Sequence, residues 1–127
     1  MRPIAQKVHL VIAWVLVAGL LVQVFLAGLG VFRGPESFAT HRDFGYVLEL
    51  LPILLLIFGI VAGLGRRPAI LAAAIFGLFL LQSVFVALRV SNPEVAALHP
   101  VNGFVITILA VVVARDAWVG RAPGPAR

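Results

Sequence analysis

Four apolar runs, each long enough to cross a bilayer, leave this chain few ways to fold. The first covers about 8–32 and is interrupted only by His9 and Gln23. At about 1.5 Å of helical rise per residue, it exceeds the roughly 20 residues that a hydrocarbon core takes. The second apolar run covers about 44–65, inside a span of about 36–65 whose helix starts earlier. The third and fourth spans cover about 69–89 and 93–115, and short stretches of Arg, Gly, Pro and Asn part them. A soluble domain needs a polar shell. With 62% hydrophobic and 12% charged residues in 127, too few polar groups are present to build one. The expected fold is therefore all-α and integral to the membrane, an antiparallel up-down-up-down four-helix transmembrane bundle.

The ends of the runs carry the signals such a fold needs. Arg2 and Lys7 ahead of an apolar run also suit a signal peptide, but the run is too long and no Ala-x-Ala site follows it. It reads as a retained span. Pro35 suits a first helical position, and Glu36 suits the positive end of the helix dipole. Ser91-Asn92-Pro93-Glu94 is a second start signal, a capping side chain followed by proline and an acid. Arg2, Lys7, Arg66, Arg67, Arg115, Arg121 and Arg127 fall on one side, against Arg33, Arg42 and Arg89 on the other. That imbalance puts both termini in the cytoplasm, in a bacterial-type inner (plasma) membrane. The net charge of +5 comes from these scattered ends and forms no patch, so nucleic acid is not an expected partner. Cysteine is absent, which excludes disulfides, thiolate ligands and covalent c-type haem. The Gly/Pro-rich tail, 120–127, has nothing to bury and is expected to be flexible.

Residues 35–45, PESFATHRDFG, are written again at 93–103 as PEVAALHPVNG. The two share Pro-Glu-x-x-Ala-x-His-x-x-x-Gly, which pairs His41 with His99 and Gly45 with Gly103. Ahead of them, Leu21-Val22-Gln23-Val24-Phe25 resembles Leu81-Gln82-Ser83-Val84-Phe85 when one residue is inserted. The chain thus reads as an internal two-helix repeat with halves of about 1–65 and 66–119. A two-helix unit keeps its direction in the membrane, so the halves are related by a twofold along the membrane normal. His41 and His99 then fall at equal depth near the outer face, on diagonal helices.

Two facing imidazoles at one depth are the arrangement that ligates a haem iron from both sides, and ionisable groups inside a membrane usually mark function. Gly45 and Gly103 follow on nearly the same helix face one turn deeper, where a missing side chain lets a flat macrocycle lie. Arg42 and Arg89 at the outer end suit the propionates. Gln23 and Gln82 lie near the histidines' depth and suit hydrogen bonding behind them. The plainer reading keeps His41 and His99 as hydrogen-bonding residues across the bundle, with the two glycines serving helix packing. Zinc would need three or four ligands, and Glu36 and Glu94, five residues before their histidines, are rotated by about 500° and point away. His9 has no duplicate and reads as interfacial. Glu49, deep in the second span, is a candidate proton site, beside a carbonyl that Pro52 frees from its helical bond. Trp14, Tyr46 and Trp118 read as belt or packing aromatics.

With Thr40-His41-Arg42 opening the second helix and Leu98-His99 opening the fourth, the chain resembles one half of haem A synthase. That family has eight helices in two four-helix halves, each with a histidine pair on its second and fourth helices. The resemblance implies that His41 and His99 are the axial ligands of one haem b. The family's first half carries a glutamate three residues before its helix-two histidine; here that place is Phe38. The second half has no counterpart, and a homodimer would restore eight helices. The function expected is a membrane-embedded b-type haem protein that transfers electrons with a quinol or a respiratory complex, more a carrier or subunit than a complete enzyme. The alternatives are a cofactor-free accessory or scaffold subunit, and haem transport or sensing.

Overall fold

The computed structural model describes residues 1–120. The tail expected to be flexible lies outside the described residues from 121 onward, as do Arg121 and Arg127. The described chain is all helical: α1 (Arg2–Arg33), a short 3-10 turn (Pro35–Ser37), α2 (Phe38–Leu48), α3 (Leu50–Ala62), α4 (Arg66–Ala87), α5 (Pro93–Ala96) and α6 (Leu98–Val119). No strand occurs among these residues. Four units are long and apolar enough to cross a membrane: Arg2–Arg33, Pro35–Ala62, Arg66–Ala87 and Pro93–Val119. The chain is thus of the multi-pass membrane type by length and composition.

The joints have local causes. Pro52 has no N–H to give the Leu48 carbonyl, and the regular ladder of the second unit is interrupted at Glu49, between α2 and α3, where the backbone stays right-handed helical. That unit ends at Ala62 because Gly63 takes up the left-handed conformation, with φ at 69° and ψ at 35°. The Gly63 N–H then donates to the Ile60 carbonyl and the Leu64 N–H to that of Gly59, each at 3.0 Å. This pair of bonds closes the helix end and needs a residue without a Cβ penalty.

Each helix presents one stripe of small and aliphatic residues inward. On α1 it is Ala5, His9, Ala13, Leu16 and Leu20; on α6 it is Asn102, Ile106, Ala110 and Val113. Both follow the three-and-four spacing of a helix that packs on one face. Leu48 and Leu55 from the second unit, with Ala72, Ile75 and Phe79 from α4, complete the core. The opposite faces are apolar as well, with Phe25, Ile60, Phe104 and Ile108 more than half exposed. In contact, α1 meets α2, α3 and α6, and α4 meets α3 and α6. The backbones of α1 and α4, and those of α2 or α3 and α6, do not come together, so the second and fourth units occupy diagonal corners and meet only through side chains.

Near the His41 end, α1 and α2 close on each other through a glycine. A Cβ built on Gly30 falls 2.6 Å from the Phe38 ring. Gly30→Val should therefore cost about 1–3 kcal/mol of stability by overpacking, and adding Phe38→Ala should recover part of it. Denaturant unfolding in micelles measures both.

Candidate functional site

His41 lies in the first turns of α2 and His99 in the first turn of α6, on the diagonal units. The structure brings their imidazoles together, with ring centroids 6.1 Å apart and planes at 64°. Both side chains are half-buried. Phe38 packs edge-on against His41, at a centroid distance of 6.2 Å and an angle of 87°. Phe38 therefore sits against His41 as an aromatic wall.

What holds each ring is a backbone carbonyl on the preceding unit. His41 Nδ1 lies 3.1 Å from the Gln23 carbonyl, and His99 Nδ1 lies 3.4 Å from that of Gln82. A carbonyl oxygen can only accept, so Nδ1 carries the proton on both rings. In the neutral imidazole, Nε2 then keeps its lone pair. That tautomer is the one an imidazole needs in order to ligate, and a hydrogen bond behind the ring both fixes it and raises its basicity. The same carbonyls serve equivalent histidines, although 23 to 82 is one step longer than 41 to 99. The inserted residue lies between these positions in the sequence, as the repeat alignment requires.

The spacing suits one metal ion between the rings. With metal–imidazole bonds of about 2 Å and each nitrogen about 1.1 Å from its ring centre, two imidazoles on one ion have centroids roughly 6 Å apart. Among the described residues no group of three or more His, Cys, Asp or Glu comes together. The donor set on offer is a pair, which matches a flat tetradentate macrocycle better than a bare ion such as zinc.

Other candidates fall differently. Gly45 and Gly103, expected as a seat for the macrocycle, instead make room for the glutamines: a Cβ on Gly45 would fall 2.7 Å from Gln23 Nε2, and one on Gly103 3.5 Å from Gln82 Nε2. Arg42 is exposed and pairs with Asp43 at 2.8 Å; Arg89 is exposed and donates to the Val86 carbonyl at 3.1 Å. Glu49 is half-buried at the α2–α3 joint, and no hydrogen bond or ion pair reaches its carboxyl among the described residues. His9, expected at the interface, is buried at 1% exposure, because Gly59 on α3 leaves space for its ring. It also lines a cavity of about 190 Å³ with Gln6, Leu71 and Asp116, at the other end of α1 from Gln23.

Sequence reasoning passes over Asn102. It is buried at 7% exposure, and its Nδ2 donates to the Leu78 carbonyl at 2.9 Å and to Gln82 Oε1 at 2.8 Å. The available signal is an amide three residues after His99, on nearly the same helix face of an apolar run.

Residues 23–88 match the profile of DUF6220, a family of unknown function. The matched stretch includes Gln23, His41, Glu49 and Gln82 and ends before His99. No curated protein and no solved structure matches the chain.

Asn102→Leu keeps the branching at Cγ, with somewhat more bulk, and removes both bonds. It should lower stability by about 1 kcal/mol, the usual worth of a polar contact between membrane helices. Unfolding in micelles checks this.

Proposed function

We infer that this chain, which belongs to the family DUF6220, is an integral membrane protein whose His41 and His99 hold one haem b near the outer face and pass electrons through it. The observation that carries the reading is the pair of imidazoles at 6.1 Å, each with Nδ1 set against a glutamine carbonyl. When bound, the haem supplies a one-electron couple. The chain's own residues fix the two tautomers, hold both rings at one depth and keep the site among apolar side chains. With both axial positions held by protein in the resting site, the chemistry that state supports is electron transfer. The partner is a quinol in the bilayer or a redox complex, and the resemblance to half of haem A synthase agrees with haem as the cofactor.

The bundle sits across the membrane with its spans alternating in direction and both termini cytoplasmic. Support comes from which ends meet. His41 and His99, early in their units, touch Gln23 and Gln82, late in theirs. At the opposite end Arg67, early in α4, pairs with Asp116, late in α6, at 3.0 Å. That end also carries Arg2, Lys7, Arg66 and Arg115, as cytoplasmic ends do.

Two measurements test these readings. The purified chain, reconstituted with haem, should show sharp low-spin bands in a reduced-minus-oxidised spectrum, and the double variant His41→Ala/His99→Ala should show none. A wild-type chain that stays colourless with added haem overturns the reading in favour of a cofactor-free scaffold. Since the chain has no cysteine, single cysteines report orientation. A membrane-impermeant maleimide should label Ser91→Cys on intact cells, and Gly120→Cys only after permeabilisation. The reverse pattern inverts the topology.

A further inference from the structure

The two halves of the site match in their histidines and differ in what holds them. Gln23 closes a ring of two hydrogen bonds on His41: its Nε2 donates to the His41 carbonyl at 2.8 Å, and its own carbonyl accepts from His41 Nδ1 at 3.1 Å. The second half lacks this clamp. The Gln82 carbonyl stands 3.4 Å from His99 Nδ1, at the long edge of a hydrogen bond, and the Gln82 side chain is engaged by Asn102. The cause is legible in the repeat. Phe44 stands where the second half has Asn102, so the first half has no amide to compete for its glutamine. Gln23 Oε1 is accordingly buried without a hydrogen-bond partner among the described residues, while the equivalent oxygen of Gln82 accepts from Asn102.

The backbone adds to the difference at one point. His41 and His99 each stand six residues after the proline that opens their span, Pro35 and Pro93. Pro100 follows His99 and has no N–H to offer the Ala96 carbonyl, whereas His41 is followed by Arg42, which has one. The turn that carries His99 thus has one helical bond fewer, and backbone with fewer bonds opens first.

We propose that His41 is the fixed ligand and His99 the exchangeable one, so that the haem accepts a small neutral ligand of the diatomic class on the His99 face. This rests on the haem reading given above. In the exchange the bond between iron and His99 Nε2 breaks, and its electron pair returns to the imidazole, which keeps its Nδ1 proton. The lone pair of the incoming ligand takes the position, and no electron or proton is transferred. A neutral ligand is favoured because an ion would have to shed its hydration to enter between apolar helices. Asn102 acts as a positioning residue: by occupying Gln82, it leaves His99 without the second bond that His41 has.

The experiment uses the full chain reconstituted with haem, with carbon monoxide as the probe. The reduced wild-type protein should give a carbon monoxide difference spectrum. His99→Ala should retain haem and bind the gas at least tenfold faster, whereas His41→Ala should lose haem. Asn102→Phe, which installs the first half's residue, should slow gas binding at least tenfold. Asn102→Leu, which fills less space, should do the same if the phenylalanine does not fold. A haem-loaded protein that ignores carbon monoxide, with equal haem loss in both histidine variants, overturns the exchange and leaves bis-histidine ligation standing. A wild-type protein that binds no haem overturns ligation itself. The apoprotein gives a readout free of haem: by ¹⁵N NMR the His41 Nδ1 proton should exchange with solvent at least tenfold more slowly than that of His99. Equal rates overturn the inequality of the two histidines.

Discussion

A polar group on a helix whose surroundings are apolar has only its neighbouring helices to bond with. The polar architecture of this bundle follows from that constraint. The core itself is built from small and aliphatic side chains, with Ala13, Ala72, Ala110 and Ala114 letting backbones approach while Leu16, Leu55, Ile75 and Ile106 fill the space between. Such packing has little directional content. Direction comes from the few polar contacts, and these cluster at the end that holds His41 and His99. Gln23 ties α1 to α2, while Gln82, Leu78 and Asn102 tie α4 to α6. Each tie fixes rotation as well as distance, which an alanine contact does not.

The cluster is also economical in what it asks of the sequence. One backbone carbonyl per histidine selects the tautomer, and a carbonyl is supplied by any residue. What requires glutamine at position 23 is the side chain, which reaches back to the His41 carbonyl across the space that Gly45 leaves open. The histidine, the glutamine and the glycine thus form one unit of three residues from two helices. Replacing Gly45 with a larger residue displaces the glutamine before it touches the histidine. The second half keeps the same three types and adds Asn102, which redirects the glutamine without removing it.

Much of this was legible in the chain. The apolar runs mark four spans because runs of bilayer length leave too few polar residues to shell a soluble core, and the written-twice motif singles out the two histidines. Pro52 marks the Leu48 carbonyl as freed from its helical bond by a local rule that needs no tertiary knowledge, although the second span reads as one helix and the joint at Glu49 is not marked. The misses share a cause. Asn102, the burial of His9 and the occupants facing Gly45 and Gly103 all depend on how neighbouring helices are rotated, and near-uniform hydrophobicity around each helix erases the amphipathic signal that fixes rotation in a soluble protein. His9 looks interfacial from its place in the run, and only Gly59, on a different helix, makes it internal.

The joint at Glu49 divides labour along the second span. Above it, the backbone of α2 packs on one other span, α1, and α2 meets α6 through the rings of His41 and His99; below it, α3 packs against both α1 and α4. The segment that carries His41 thus leans on one neighbour, with Phe38 set against Gly30 and Leu48 against Gly19, while the segment with Leu55 and Ala62 is anchored on two. Substitutions around His41 therefore reach the site first, and substitutions from Leu55 onward reach the bundle first. Two properties that are usually entangled in a small helical protein are here assigned to different lengths of one helix.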